Sequence, residues 1–249
     1  MTRATGQKLW SPRAHPPIIA GGRGWCLSLA LLAALGGCGR STPEATPAPA
    51  PEAAAARPAA ADKGVVLAVG TSLTAGYGLP DPDLAYPGLL EKRVEEAGLP
   101  YRVVNAGVSG ETSAGALRRM DWLLRQKVDV LLLETGANDA LRGQDPDATR
   151  ANIDAILTRA AAQSPPPHLV VLGMRAPPNF GAVYGRRFDA IYPELAQKHG
   201  AVLVPFVLEG VAGIARLNQA DGIHPTEEGQ RKMADLVWTA IRPLLDHGR

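Results

Sequence analysis

An α/β domain with a five-stranded parallel sheet, covered by helices on both faces, is what the sequence predicts, on three observations. Five short apolar runs are each closed by a glycine or a proline. Between them lie segments whose apolar residues recur at helical spacing. The first quarter of the chain does not read as part of a fold, which leaves 64–249 as one domain of a size that suits a single core.

The first strand is expected at 65–69, a continuous apolar run stopped by Gly70, as befits a strand buried on both faces. Residues 101–105 form the second, followed by Ala106 and Gly107, and 128–134 the third, stopping at Thr135 and Gly136. The fourth spans 168–173, after a break of three prolines, and the fifth spans 201–204, ended by Pro205. Leu89, Leu90 and Val94 mark a helix with Gly98 as its C-cap. Leu117, Met120, Leu123 and Leu124 mark the next. Residues 152–162, 187–198 and 227–245 are the remaining helices. Strands alternating with helices imply βαβ units.

The N-terminal quarter reads as an export device. Basic residues Arg3, Lys8, Arg13 and Arg23 precede an apolar run over 25–35, the length of a signal-peptide core and too short to span a bilayer. The run ends in Leu35-Gly36-Gly37-Cys38, which resembles a bacterial lipobox. Small residues there admit a peptidase, and the Cys38 thiol accepts a diacylglyceryl group. The expectation is a signal peptide over 1–37 and a lipidated Cys38 heading a Pro/Ala-rich tether over 38–63. Extended at ~3.1 Å per residue, that tether reaches roughly 80 Å. Gly39, not Asp, follows the cysteine, which for such signals favours a periplasm-facing outer-membrane lipoprotein. The competing reading is an ordinary secretory signal with a cysteine near its cleavage site.

Both cysteines, Cys26 and Cys38, lie in this leader, so 64–249 has neither a disulfide framework nor a thiol-based metal site. No His-Glu-x-x-His pattern occurs, and no metal or cofactor is expected. A formal net charge of +2 argues against nucleic acid as a partner. The glycines between Gly70 and Gly78 lack the spacing of a phosphate-binding loop.

In open α/β sheets, ligands bind outside the carboxyl ends of the strands. Gly70-Thr71-Ser72-Leu73, Asn105-Ala106-Gly107 and Gly136-Ala137-Asn138-Asp139 follow the first three strands, and Asp221-Gly222-Ile223-His224-Pro225 precedes the last helix. A serine at a strand-to-helix turn exposes its Oγ and directs its own N–H the same way. A glycine after the second strand, Gly107, lets a backbone N–H approach an oxyanion unobstructed, and the Asn138 amide offers a further donor. His224 is the base for Ser72, and Asp221, three residues earlier, fixes its tautomer. Asp139 reads as turn chemistry. Of the other histidines, His15 is in the leader, His168 opens a strand, His199 ends a helix beside Gly200 and His247 is in the tail.

Residues 68–77, 104–113, 134–143 and 221–225 together resemble the four blocks of the SGNH (GDSL-like) hydrolases, in order and at comparable separations. Within that family the chain is most similar to the arylesterase, thioesterase I and lysophospholipase L1 group. The resemblance covers about 65–245. It implies a flavodoxin-like three-layer α/β/α sandwich, with Ser72, Gly107, Asn138 and His224 in the name-giving roles. Thr71 stands where an aspartate is usual, and Ala137 where a second glycine is common.

The expected activity is that of a serine esterase acting on acyl esters, thioesters and lysophospholipids through an acyl-enzyme. The catalytic residues are Ser72, Asp221 and His224, and the oxyanion hole is formed by Ser72, Gly107 and Asn138. Residues 175–180, just past the fourth strand, are the candidate pocket. The rivals are a carbohydrate acetylesterase built on the same constellation and a non-catalytic ligand-binding lipoprotein.

Overall fold

The computed structural model describes residues 63–246. The expected signal segment, Cys38, nearly all of the tether and His247 lie outside them.

Strand β1 (Gly64–Gly70) is buried along its whole length. It pairs in parallel with β2 (Tyr101–Gly107) on one side and β3 (Val130–Glu134) on the other. Strands β4 (His168–Leu172) and β5 (Val202–Val204) complete a sheet of order β2-β1-β3-β4-β5, all neighbours parallel. This is the flavodoxin-like order, and its direction reverses between β1 and β3. Chain leaving β1 and chain leaving β3 therefore diverge to opposite faces and open a crevice between them.

The short turn α1 (Ser72–Ala75) follows β1, and α2 (Tyr86–Glu96) returns along one face. There it packs against α8 (Glu227–Asp246), whose Met233, Val237, Ile241 and Leu245 form a buried stripe at four-residue spacing. The other face carries α3 (Ser113–Leu123), α5 (Pro146–Ala161), α6 (Gly181–Asp189) and α7 (Ile191–His199), while α4 (Ala137–Leu141) is the short turn just past β3. Among the described residues no helix is long and apolar enough to cross a membrane.

Several boundaries differ from expectation for local reasons. Strand β2 continues two residues further, because the ladder with β1 runs on to Gly70 opposite Gly107. Helix α5 starts at Pro146, with the Asp145 carboxylate accepting the Asp147 N–H at 3.1 Å. Proline at the first helical position gives up an N–H that has no partner there. Ala97, in right-handed geometry, caps α2, and Gly98 follows it with φ of 64°. The single helix expected over 187–198 is two, broken at Ala190. Pro193 explains the break: it has no N–H to reach back to residue 189, and its ring is tolerated only in the first turn of a new helix.

Candidate active site

The carboxyl ends of the strands bring the late loop onto the turn that carries Ser72. Ser72 is the first residue of α1, so its N–H has no partner within the helix. Its Oγ lies 3.0 Å from His224 Nε2, and His224 Nδ1 lies 2.6 Å from Asp221 Oδ2. With the imidazole proton on Nδ1, the ring donates to the carboxylate and accepts from the serine hydroxyl. The other carboxylate oxygen, Oδ1, accepts the backbone N–H groups of Ile223 (2.9 Å) and His224 (3.0 Å). This Asx turn lets three residues of chain fold back far enough for the Asp221 carboxylate and the His224 imidazole to meet, with Gly222 at φ of 70° taking the bend. The His224 side chain, then those backbone amides, hold the Asp221 carboxyl well below the usual carboxylate range.

The loop is tied down on both sides. Gln219 donates its backbone N–H to His224 O (2.7 Å) and its side-chain amide to Tyr77 O (2.7 Å) and Pro225 O (3.0 Å). Asn218 anchors the loop's base through Val211 O and Ile214 O. The Tyr77 ring lies 4.6 Å from the His224 ring, restraining the imidazole from the open side.

Gly107 departs from its expected role. Its N–H donates to Asn105 Oδ1 at 2.9 Å, and it does not line the cleft. What demands glycine there is packing: a Cβ would sit 2.3 Å from Ala75 N, so α1 could not approach β2. The glycine that reaches the cleft is Gly110, at the third position of a turn closed by Glu111 N–H to Val108 O (3.2 Å), with φ of 77°. Positive φ at that position is what a type II turn requires. Among the described residues the Gly110 N–H makes no hydrogen bond. Gly107 still belongs to β2, paired opposite Gly70, and the chain reaches the cleft only at Gly110.

Asn138 also lines the cleft, on α4, one side of the crevice from Ser72. Its Nδ2 donates one proton to Glu111 O at 3.0 Å, which orients the amide and leaves its second proton for a ligand. Arg119 braces the same segment, pairing with Glu111 at 2.7 Å and donating to Gly70 O at 3.3 Å. Asp139 is more than turn chemistry. It is fully buried and accepts Ser113 N–H (2.8 Å) and Ser113 Oγ–H (2.6 Å), fastening α4 to the start of α3.

The cleft encloses about 370 Å³ beside Ser72, walled by Leu73, Tyr77, Leu141, Met174, Leu208 and Ile223. Tyr77, Leu141 and Ile223 are exposed apolar side chains at its mouth. Residues 175–180, expected to form the pocket, do not line it. Arg175 lies over the Phe206 ring at 4.6 Å and pairs with Glu209, and Phe180 packs on Tyr184. Of the remaining histidines that are described, His199 lies 2.6 Å from Asp154 Oδ1, and His168 opens β4.

The model of the GDSL-like lipase/acylhydrolase family matches residues 68–232, more than half of the chain. The chain belongs to that family. It is 40% identical over 181 residues to Esterase TesA of Pseudomonas aeruginosa, a match covering 72% of this chain and 89% of that protein. To the Escherichia coli K12 thioesterase 1/protease 1/lysophospholipase L1 it is 38% identical over 192 residues, covering 77% and 88%. The crystal structure of AlinE4, an SGNH-hydrolase family esterase, superposes with a TM-score of 0.60 at 42% identity, covering 74% of this chain and 97% of that one. GDSL-like membership and these relatives agree on one enzyme class, a carboxylic-ester hydrolase.

Proposed function

We propose that this GDSL-like enzyme is a serine esterase for acyl esters and thioesters with an apolar acyl group, lysophospholipids among them. The observation that carries the reading is the run of contacts from Ser72 Oγ through His224 to Asp221, at the edge of an apolar cleft. Ser72 Oγ attacks the acyl carbon while its proton passes to His224 Nε2. The carbonyl oxygen, now negative, is held by the N–H groups of Ser72 and Gly110 and by the Asn138 amide. The tetrahedral adduct collapses, His224 gives its proton to the departing alkoxide or thiolate, and Ser72 is left as an acyl ester. Water, deprotonated by the same His224, attacks that ester, and the acid leaves as Ser72 recovers its proton. Asp221 stays ionised throughout and steadies the imidazolium.

An apolar lining favours acyl chains over acetylated sugars, whose hydroxyls would lose their water against it. Purified protein assayed on p-nitrophenyl esters of increasing chain length, an acyl-CoA, a lysophospholipid and an acetylated sugar tests this. Turnover confined to the acetylated sugar would reverse the choice.

The location proposed for the esterase is a membrane facing the periplasm. Support comes from the lipobox-like Leu35-Gly36-Gly37-Cys38 and the Pro/Ala-rich stretch after it. One acyl chain anchors only marginally, whereas the several chains of a lipoprotein hold firmly. Fractionation after expression in a Gram-negative host should place the protein with membranes, and Cys38→Ser should abolish labelling by a radioactive fatty acid. Soluble, unlabelled wild type would make 25–38 an ordinary secretory signal.

A further inference from the structure

The turn that carries Ser72 is held from its buried side by a carboxyl group. Glu134, the last residue of β3, is fully buried. Its Oε2 accepts the Thr71 N–H at 2.8 Å and the Thr74 hydroxyl at 2.9 Å. The Thr71 hydroxyl lies 2.9 Å from one carboxylate oxygen and 3.1 Å from the other. Thr74 is in turn 2.9 Å from the Tyr86 hydroxyl. There is no slack: a Cβ on Gly70 would sit 1.9 Å from Thr74 Oγ1 and 2.8 Å from Glu134 Oε2.

A turn this short does not support itself. Helix α1 has four residues, far below the length at which helical hydrogen bonds repay the cost of nucleation. Thr71 occupies its N-cap position yet makes no side-chain cap; the hydroxyl turns backwards to Glu134 instead. The donors to Glu134 come from residues on both sides of Ser72. Burial pushes the Glu134 carboxyl above the usual carboxylate range, against the lowering effect of the Thr71 and Thr74 donors. An apolar residue would fill the same space without that desolvation cost.

We infer that Glu134 is a positioning residue for the nucleophile: acting through Thr71 and Thr74, its buried carboxyl sets the backbone of Ser72 and with it the aim of Oγ at His224. The inference rests on the proposed role of Ser72. Thr71, which departs from the aspartate usual in this family, becomes the hydroxyl donor matched to that acceptor. Small displacements of a reacting group cost up to about a hundredfold in rate, so the expected effect is on turnover and not on substrate binding.

The test compares Thr71→Val, Glu134→Gln and Thr71→Ser with the wild type in the full chain. Each is titrated with a p-nitrophenyl alkylphosphonate, which labels a reactive serine once and releases nitrophenolate. Rates are expressed per titratable site, so that partial unfolding does not imitate a loss of aim. Thr71→Val and Glu134→Gln should lower both kcat on a short p-nitrophenyl ester and the phosphonylation rate by about ten- to a hundredfold, with KM within about twofold. Thr71→Ser, which keeps the donor, should recover most of the loss seen in Thr71→Val. Wild-type phosphonylation rates per site in Thr71→Val and Glu134→Gln would overturn the inference, as would a raised KM at unchanged kcat. A wild type whose label is absent from Ser72 by peptide mass would instead overturn the nucleophile assignment beneath it.

Discussion

Two carboxyl groups connect to Ser72, Asp221 through His224 and Glu134 through the flanking Thr71 and Thr74, and their environments differ. Asp221 lies in the loop behind His224, its side chain 38% exposed, with its partners all within three residues in sequence. Glu134 sits behind the turn with no exposure, and its partners are sixty or more residues away. Donors lower the first carboxyl's proton affinity, while burial raises the second's. The difference teaches a division of labour. In the proposed mechanism the exposed side manages charge during the reaction, where a carboxylate must stay ionised while an imidazolium comes and goes. On the inference drawn for Glu134, the buried side manages geometry, where a multiple acceptor gathers the backbone and hydroxyl donors of a turn too short to hold itself.

That comparison breaks most sharply at the atom between the two sides. Ser72→Ala should keep the fold and lower kcat by about 10⁶-fold, since removal of a nucleophile leaves only binding and oxyanion stabilisation. Near-normal turnover by folded protein would end the serine mechanism. On the exposed side, Asp221→Asn keeps the shape and loses the charge, and kcat should fall by about 10⁴-fold as the imidazole loses its fixed tautomer. Asn138→Ala removes one donor to the oxyanion, so kcat should drop about 10²–10³-fold with KM little changed. A rise in KM at constant kcat would mean that Asn138 holds the ground state instead.

The smallest effect separates the two carboxyls by stability. Glu134 binds its proton more tightly folded than unfolded, so its contribution is full below its unfolded value near 4.5 and is lost as pH rises through the folded value. Asp221 has the opposite sign: its contribution is present above its unfolded value near 3.8 and disappears as pH falls through the lower folded value. Glu134→Gln should therefore flatten the decline of Tm on the alkaline side of about pH 4.5. Asp221→Asn should soften only the acid limb below about pH 4, and weakly, because water screens an exposed group. Thermal melts at closely spaced pH values read both slopes, and identical slopes for wild type and Glu134→Gln would contradict the burial argument.

The sequence by itself determined the parts governed by short-range rules. Buried parallel strands must be continuous apolar runs, so 65–69 and 168–173 were legible as β1 and β4 within a residue. The three-residue spacing of Asp221 and His224 announced an acid that can reach its base, because an Asx turn is a local structure. The division of 187–198 is also local, set by Pro193. Other features depended on contacts that no spacing encodes. Gly107 and Gly110 look alike in sequence; only the pairing of β2 with β1 puts the first against Ala75 and leaves the second at the cleft. Asp139 resembled a turn residue until α3 closed over it. Leu141, Leu208 and Ile223 lie on three separated stretches of chain and become one apolar wall only when the sheet edge gathers them. Glu134 gave no signal at the end of an apolar run. Its role is set by what lies across the sheet, since a buried carboxyl is defined by its donors, and those arrive from the neighbouring strand's turn.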